Sequence, residues 1–184
     1  WNSQITNEYQ CLSRATTNTK GACVLAPSAN EVLNNCVFTT EIDCLTNRGG
    51  DFYQNQLCTN TELNTKCERT ENTQCFEGED RVYFLDSCGN RANIYDSTKI
   101  NNVAYWNTVV TPQNSCSLGT ELANQEKCGN CDYLGGSTCG LPTTLDNQPI
   151  YGQYVCKDLA CIDKNGERRE HGESWCTFDS WTGL

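Results

Sequence analysis

The chain has 184 residues, 13 basic and 23 acidic side chains, and a formal net charge of −10 at pH 7. This charge argues against nucleic acids and anionic membrane surfaces as partners, because the Coulomb interaction with both is repulsive. The longest apolar runs are far shorter than the ~20 residues of a membrane-spanning helix. We therefore expect no membrane insertion by this segment.

Cysteine is the most informative residue type, with 15 in the chain, whereas only 37% of the residues are hydrophobic. A chain with so few apolar residues gains little from burial, and each disulfide adds roughly 2–4 kcal/mol of stability. Because disulfides persist in oxidising compartments, we expect an extracellular or cell-surface protein with about seven of them. All of the cysteines are disulfide candidates: Cys11, Cys23, Cys36, Cys44, Cys58, Cys67, Cys75, Cys88, Cys116, Cys128, Cys131, Cys139, Cys156, Cys161 and Cys176.

The odd number of cysteines requires at least one without a partner in the chain. Eight cysteines precede the cysteine-free stretch between Cys88 and Cys116, and seven follow it. If the two halves are cross-linked separately, the unpaired thiol lies in the second half, and Cys176 is a candidate. Its partner could lie in a continuation of the chain beyond Leu184. A free buried thiol and an intermolecular disulfide are the alternatives.

Residues 1–79 are predicted to form an irregular, cysteine-rich loop region. Within it, Ser28 and Glu31 have the spacing of a capping box, which predicts a short helix near residues 29–36. The Asn-Arg-Gly-Gly-Asp sequence at 47–51 predicts a turn.

Residues 80–184 are predicted to form a cysteine-rich β region. Arg81–Cys88 is rich in β-branched and aromatic residues and predicts a strand. Gly89 and Asn90 predict a turn, and Ala92–Tyr95 predicts the returning strand. The apolar spacing over 98–110 is roughly helical and predicts a short helix.

The last predicted elements are a strand over Pro149–Cys156 and a β-hairpin. The hairpin consists of Ala160–Asp163 and Glu167–Arg169, and its Lys164–Gly166 connection contains Asn-Gly, which is typical of a type I′ turn. The predicted fold is small, disulfide-rich, and mainly β and loop, with one or two short helices. It forms either one compact unit or two closely joined subdomains that meet near residue 80.

The Cys128-Gly-Asn-Cys131 sequence is a CxxC motif with three interpretations. A thioredoxin-type redox site requires a strand before the motif and a helix after it, and neither is predicted here. A zinc site could combine these two cysteines with Cys139 and either Cys116 or Cys156, but a second CxxC is missing. We favour separate structural disulfides, and we expect no metal or other cofactor.

His171 is the single histidine, and it lies near Glu173 and Ser174 in the sequence. Neighbouring positions do not create a catalytic triad, so we interpret His171 as a surface residue and predict no catalytic residue and no enzyme. The segment Asp163–Glu167 resembles part of a calcium loop, but it lacks the third oxygen ligand and the final glutamate. Calcium at another loop remains an alternative.

Two groups of aromatic residues could stack on sugars, although large rings more often form packing centres. They are Tyr105 and Trp106 beside the amide of Asn107, and Trp175, Phe178 and Trp181. The sequence contains no Asn-x-Ser/Thr acceptor for N-glycosylation. Either the host does not glycosylate this protein, or its surface is kept clear for a subunit contact.

Five segments are distinctive in combination: Val82–Tyr95, Tyr105–Trp106, Cys128–Cys139, Tyr154–Cys161 and His171–Cys176. Together they resemble a group of large cysteine-rich secreted or surface proteins predicted from genomes of small-celled (DPANN-type) archaea. The resemblance covers about residues 75–178. It implies an extracellular location and a longer protein that continues past the last motif, and it implies no catalytic residues.

The sequence therefore favours an extracellular structural or surface protein that acts in envelope, filament or adhesive assembly. Its expected partners are other proteins or copies of itself. The alternative is an extracellular carbohydrate- or ligand-binding module. An open aromatic groove lined by amides would favour that alternative, whereas a free strand edge would favour assembly.

Overall fold

The structure is a computed structural model that describes residues 19–26, 35–116, 124–143 and 146–175. In these residues the chain forms small antiparallel sheets, loops, one short helix and isolated 3-10 turns, which confirms the predicted fold class. The strands are β1 (Lys20–Val24), β2 (Cys36–Thr40), β3 (Asp51–Gln54), β4 (Arg69–Cys75), β5 (Val82–Asp86), β6 (Arg91–Ile94), β7 (Ser137–Gly140), β8 (Val155–Asp158), β9 (Cys161–Ile162) and β10 (Arg168–Arg169). No helix in the described residues is long and apolar enough to cross a membrane.

The first sheet has the strand order β2-β1-β3. Gly21 permits this arrangement, because a Cβ atom at that position would collide with the carbonyl oxygen of Tyr53 on β3. A short π-helix, Asp43–Arg48, connects β2 to β3 and ends at Gly49, which has a left-handed φ of 63°. The predicted turn at 47–51 is thus shared between the last residues of this helix and the two glycines that follow.

The central sheet has the order β4-β5-β6 and lies over the main hydrophobic core. Phe84 on β5 contacts the rings of Tyr95 and Trp106, with ring centroids 5.2 and 5.1 Å apart. The indole Nε1 of Trp106 donates a hydrogen bond to the carbonyl of Ile100 at 3.1 Å. Strands β5 and β6 confirm the strands predicted over 81–88 and 92–95.

The helix predicted over 98–110 is wrong. This segment contains two separate 3-10 turns, the first at Ser97–Lys99 and the second at Val103–Trp106. The side chains of Asp96 and Asn102 each accept a hydrogen bond from a backbone N–H two or three residues later. These short-range caps start two turns where the apolar spacing alone suggested one continuous helix.

The last two sheets pair β7 with β8 and β9 with β10. The strand predicted from Pro149 begins only at Val155, because Gly152 has a left-handed φ of 74° and the N–H of Gln153 donates to the Thr73 hydroxyl at 3.2 Å. These contacts bend residues 149–154 across β4 instead of along a neighbouring strand.

The predicted β-hairpin is present, but its type I′ turn is wrong. Only Gly166, with a φ of 83°, has a positive φ in the connection. The N–H of Asp163 donates to the carbonyl of Glu167 at 2.9 Å, so three residues form the loop. Since Asn165 does not adopt the left-handed conformation, the turn belongs to the three-residue class that ends in a left-handed glycine.

Two further predictions concern the organisation of the chain. The helix predicted near 29–36 lies mostly outside the described residues, and its last residue, Cys36, begins β2. The predicted division near residue 80 runs between β4 and β5, which are neighbouring strands of one sheet.

Candidate functional site

Twelve of the candidate cysteines lie in six disulfides. The pairs are Cys23–Cys44, Cys36–Cys58, Cys67–Cys88, Cys75–Cys139, Cys116–Cys128 and Cys131–Cys156. The Cys75–Cys139 disulfide joins β4 to β7 with a sequence separation of 64 residues. It connects the two cysteine groups, so the two halves are not cross-linked separately, and the condition for placing the unpaired thiol in the second half is not met.

Three cysteines remain outside these pairs. Cys161 is exposed on β9 and has no disulfide partner among the described residues. Cys11 and Cys176 lie outside the described residues. The seventh disulfide, and the assignment of the unpaired thiol to Cys176, therefore stay predictions.

The CxxC motif connects two different segments of the chain. Its two cysteines form separate disulfides, Cys128 with Cys116 and Cys131 with Cys156, and Cys139 is also paired. Zinc would require thiolates, which these disulfide sulfurs do not provide. Between them, Asn130 is fully buried, accepts a hydrogen bond from Arg81 Nε and donates to the carbonyls of Pro112 and Cys116. The motif therefore holds neighbouring segments together through two disulfides and the hydrogen bonds of one buried amide.

One cluster in the described part of the chain has the spacing of metal ligands: Cys58, Cys67 and Asp86. Both sulfurs are disulfide-bonded, so the cluster holds only one potential ligand group. The Asp86 carboxylate accepts hydrogen bonds from the backbone N–H groups of Cys88 and Asn90. Burial raises the pKa of this carboxyl. The arrangement stabilises the turn between β5 and β6.

The residues considered for hydrolysis do not form a catalytic arrangement. The ring of His171 packs edge-on against Tyr133, with centroids 4.7 Å apart. Within the described residues, no hydrogen bond joins His171 to Ser174 or Glu173. Instead, Glu173 accepts hydrogen bonds from Arg169 Nη1 and from the backbone N–H of Glu170.

The loop that resembles a calcium site is engaged internally. The Asp163 carboxylate accepts hydrogen bonds from the N–H groups of Asn165 and Glu167 at 2.8 and 3.0 Å. It also forms an ion pair with Arg169 at 3.0 Å. The backbone hydrogen bond from Glu167 is the largest factor that lowers the pKa of the Asp163 carboxyl. The guanidinium of Arg169 occupies the position where a cation would bind this carboxylate.

The two aromatic groups considered for sugar stacking have different environments. Tyr105 and Trp106 are only 7% and 2% exposed, so their rings are packing centres of the central core. The Tyr105 hydroxyl donates to the carbonyl of Ile94, and burial raises the pKa of Tyr105 to about 12. Trp175 is 38% exposed and lies against the guanidinium of Arg169, whereas Phe178 and Trp181 lie outside the described residues.

A polar cleft of about 660 Å³ opens between the loop 58–67 and the turn at Val103–Trp106. Disulfides hold both ends of this loop, since Cys58 is paired with Cys36 and Cys67 with Cys88. The Thr59 hydroxyl donates to the carbonyl of Trp106, which ties the loop to the opposite wall. The cleft is thus rigidly framed, and its volume lies in the range of small-molecule sites.

The cleft is lined by hydroxyl, amide and charged side chains together with the apolar side chains of Val103 and Trp106. Thr61, Asn64, Glu68 and Arg69 line it without a side-chain partner among the described residues. These groups offer a ligand both hydrogen-bond donors and acceptors, together with one negative and one positive charge.

Asn107 adds a further unsatisfied group to the same wall. Its side-chain oxygen is buried and has no hydrogen-bond partner. Trp106 and Asn107 belong to a group that the sequence indicated for sugar stacking, whereas the loop that faces them was not predicted to contribute. The concentration of threonine and asparagine between Cys58 and Cys67 was the available signal.

Comparison of the chain with protein-family models, with curated proteins and with solved structures finds no match.

Proposed function

We propose that this chain is an extracellular structural domain of a surface assembly, such as an envelope, a filament or an adhesive layer. The supporting observation is the way in which disulfides connect the separate small sheets. Cys36–Cys58 joins the first sheet to the loop before the central sheet, and Cys75–Cys139 joins the central sheet to the β7–β8 pair. Cross-links of this kind resist unfolding in a compartment without chaperones or reducing agents.

Sedimentation velocity of the oxidised protein over a wide concentration range tests this proposal. We expect reversible association that becomes stronger as salt is added, because screening reduces the repulsion between copies that each carry a net charge of −10. A single monomeric species at the highest concentration and at both low and high salt would contradict assembly by this chain alone.

The second candidate is carbohydrate binding in the polar cleft. The unpartnered Asn64, Glu68 and Arg69 side chains support it. Each hydroxyl of a sugar can donate and accept hydrogen bonds, so one ligand can bond to the carboxylate, the amide and the guanidinium at once. A neutral sugar fits better than a charged one, since the cleft contains both a carboxylate and a guanidinium.

Two-dimensional NMR with neutral mono- and disaccharides tests this candidate. We expect shifts in the backbone signals of the loop 58–67, and we expect Glu68→Gln to weaken binding at least about fivefold. Glu71→Gln is the matched control, because Glu71 is an exposed glutamate on the neighbouring β4 outside the cleft. Equal effects of the two variants, or no shifts with any sugar, would eliminate the cleft as a sugar site.

A further inference from the structure

The two edges of the first sheet differ in whether their outward backbone groups have hydrogen-bond partners. The N–H of Glu41 donates to the carbonyl of Thr19, so the alternation of an antiparallel ladder turns the backbone groups of Cys36 and Phe38 away from β1. The side chain of Asn90 bonds to one outward group of each residue. Its side-chain oxygen accepts from the N–H of Phe38 at 3.0 Å, and its amide donates to the carbonyl of Cys36 at 3.2 Å. Asn90 thus covers part of this edge of the sheet.

The opposite edge is formed by β3. The N–H of Asn55, just after β3, donates to the carbonyl of Lys20, whereas the carbonyl of Asn55 accepts from the N–H of Val109, so the bond to Lys20 fixes the phase of the ladder at its end. The alternation then directs Tyr53 toward β1 and turns the N–H and C=O groups of Phe52 and Gln54 outward. In residues 19–26, 35–116, 124–143 and 146–175, no group bonds to these outward groups. As far as the structure describes the chain, this edge of the sheet is open.

Two other edge strands receive backbone partners from outside their ladder. On β7, the N–H of Cys139 donates to the carbonyl of Asp80, and on β8, the carbonyl of Cys156 accepts from the N–H of Asn124. Proteins usually protect exposed edges with lysine, proline or a bulge. The sequence of β3, Asp-Phe-Tyr-Gln, contains neither lysine nor proline, and its pairing with β1 is regular.

We propose that β3 pairs with β3 of a second copy of this chain in an antiparallel arrangement around a two-fold axis. This inference rests on the proposed assembly function and names its partner. The outward groups determine the register. Phe52 lies opposite Gln54 of the second copy, and Tyr53 lies on the axis opposite the same residue of that copy. About four backbone hydrogen bonds form, and the two three-stranded sheets become one six-stranded sheet.

The side chains are compatible with this register. Asp51 is the only charged residue of β3, and in this register it lies beyond Gln54, the last strand residue of the second copy, so no like charges face each other within the paired strands. Tyr53 is 40% exposed and forms an aromatic pair across the axis, where facing Cα atoms are only about 4.5 Å apart. Ile42 and Leu45, on the neighbouring helical segment, are also exposed and add apolar surface at this end of the molecule.

Photo-oxidative tyrosine cross-linking of the oxidised protein tests the register directly. We expect a covalent dimer in which peptide mapping identifies a Tyr53–Tyr53 link. Tyr53→Phe should abolish this link. Tyr133→Phe should leave it unchanged, because Tyr133 is exposed on a different part of the molecule.

A second pair of variants measures the association itself by sedimentation. Tyr53→Glu places like charges opposite each other on the axis and should weaken the dimer at least about tenfold. Gln74→Glu adds the same charge at an exposed position of β4 and should have little effect.

The outcomes separate this inference from the broader proposal. Association that gives no Tyr53–Tyr53 link, or that Tyr53→Glu leaves unchanged, overturns β3 pairing but leaves assembly through another surface intact. The absence of any association overturns both β3 pairing and assembly by this chain alone.

Discussion

The first sheet and the central sheet of this protein are stabilised in different ways. The buried cluster beside the first sheet consists of Ala22 and three cysteines, Cys36, Cys58 and Cys67. The central sheet covers a core of large side chains that includes Phe84, Tyr95, Tyr105 and Trp106. The first sheet therefore depends on cross-links, and the central sheet depends mainly on apolar burial.

This difference shows how a chain with few hydrophobic residues distributes them. Aromatic rings bury the most apolar area for each residue, so a few of them suffice for one core. The remaining sheets receive disulfides, which limit the freedom of the unfolded chain without requiring a large core. Asn90 connects the two regions, because its side chain bonds to β2 from the turn between β5 and β6.

The largest effect is expected for truncation of the central aromatic core. Trp106→Ala removes a fully packed ring and should lower the free energy of unfolding by about 3–5 kcal/mol. Denaturant titration with intact disulfides measures this change. Trp175→Ala is the control, since Trp175 is partly exposed, and its effect should stay below about 1 kcal/mol. Similar losses for both variants would argue against an aromatic core around Trp106.

Removal of one disulfide should affect mainly the first sheet. The double substitution Cys36→Ala and Cys58→Ala should cost about 2–4 kcal/mol. Hydrogen exchange should show lost protection in β1, β2 and β3, while β5 and β6 keep theirs, because the central core does not depend on this cross-link. Equal loss of protection in both sheets would show that they unfold as one unit.

A smaller effect is expected at the connection between the two regions. Asn90→Ala leaves the N–H of Phe38 and the carbonyl of Cys36 without partners and should cost about 1–3 kcal/mol. Thermal unfolding measures this change. Asn72→Ala, at an exposed position of β4, should be nearly neutral. If the two variants behave alike, the Asn90 contacts contribute nothing to the junction.

The smallest effect concerns alkaline pH and the central sheet. Burial raises the pKa of both Tyr83 and Tyr105 to about 12, above the value of 10.0 for a free tyrosine. The unfolded chain therefore loses these protons first, and stability should be complete below about pH 10 and fall as pH rises toward 12.

Tyrosinate absorbance and denaturant titration, with free thiols blocked beforehand, measure the alkaline response. Tyr105→Phe should reduce the slope of stability against pH. An unchanged slope in both Tyr105→Phe and Tyr83→Phe would show that these hydroxyls are not the groups responsible.

Local patterns correctly predicted several elements. Strand β5 and the turn at Gly89 and Asn90 follow from β-branched, aromatic and turn residues within a few positions of one another. The hairpin of β9 and β10 was predicted for the same reason. The helix over 98–110 was wrong because polar caps at Asp96 and Asn102 compete with the apolar spacing.

The cleft and the open strand edge were beyond sequence reasoning, because both depend on contacts between distant residues. The cleft combines the loop 58–67 with the turn at Val103–Trp106. The difference between the two edges of the first sheet depends on Asn90, which lies 52 residues from Phe38 in the chain. The threonine and asparagine residues between Cys58 and Cys67 indicate a polar loop, but no local pattern shows what that loop faces or which sheet edge stays without a partner.

The sequence by itself determined the disulfide-rich β class of this protein, since composition limits how a chain can be stabilised. Only the tertiary structure decided which cysteines pair. The Cys75–Cys139 disulfide joins the two groups that the spacing had separated, because the fold brings β4 and β7 together. Spacing along the chain does not specify proximity in space. The pairing, the cleft and the open edge of β3 therefore became visible only in the folded molecule.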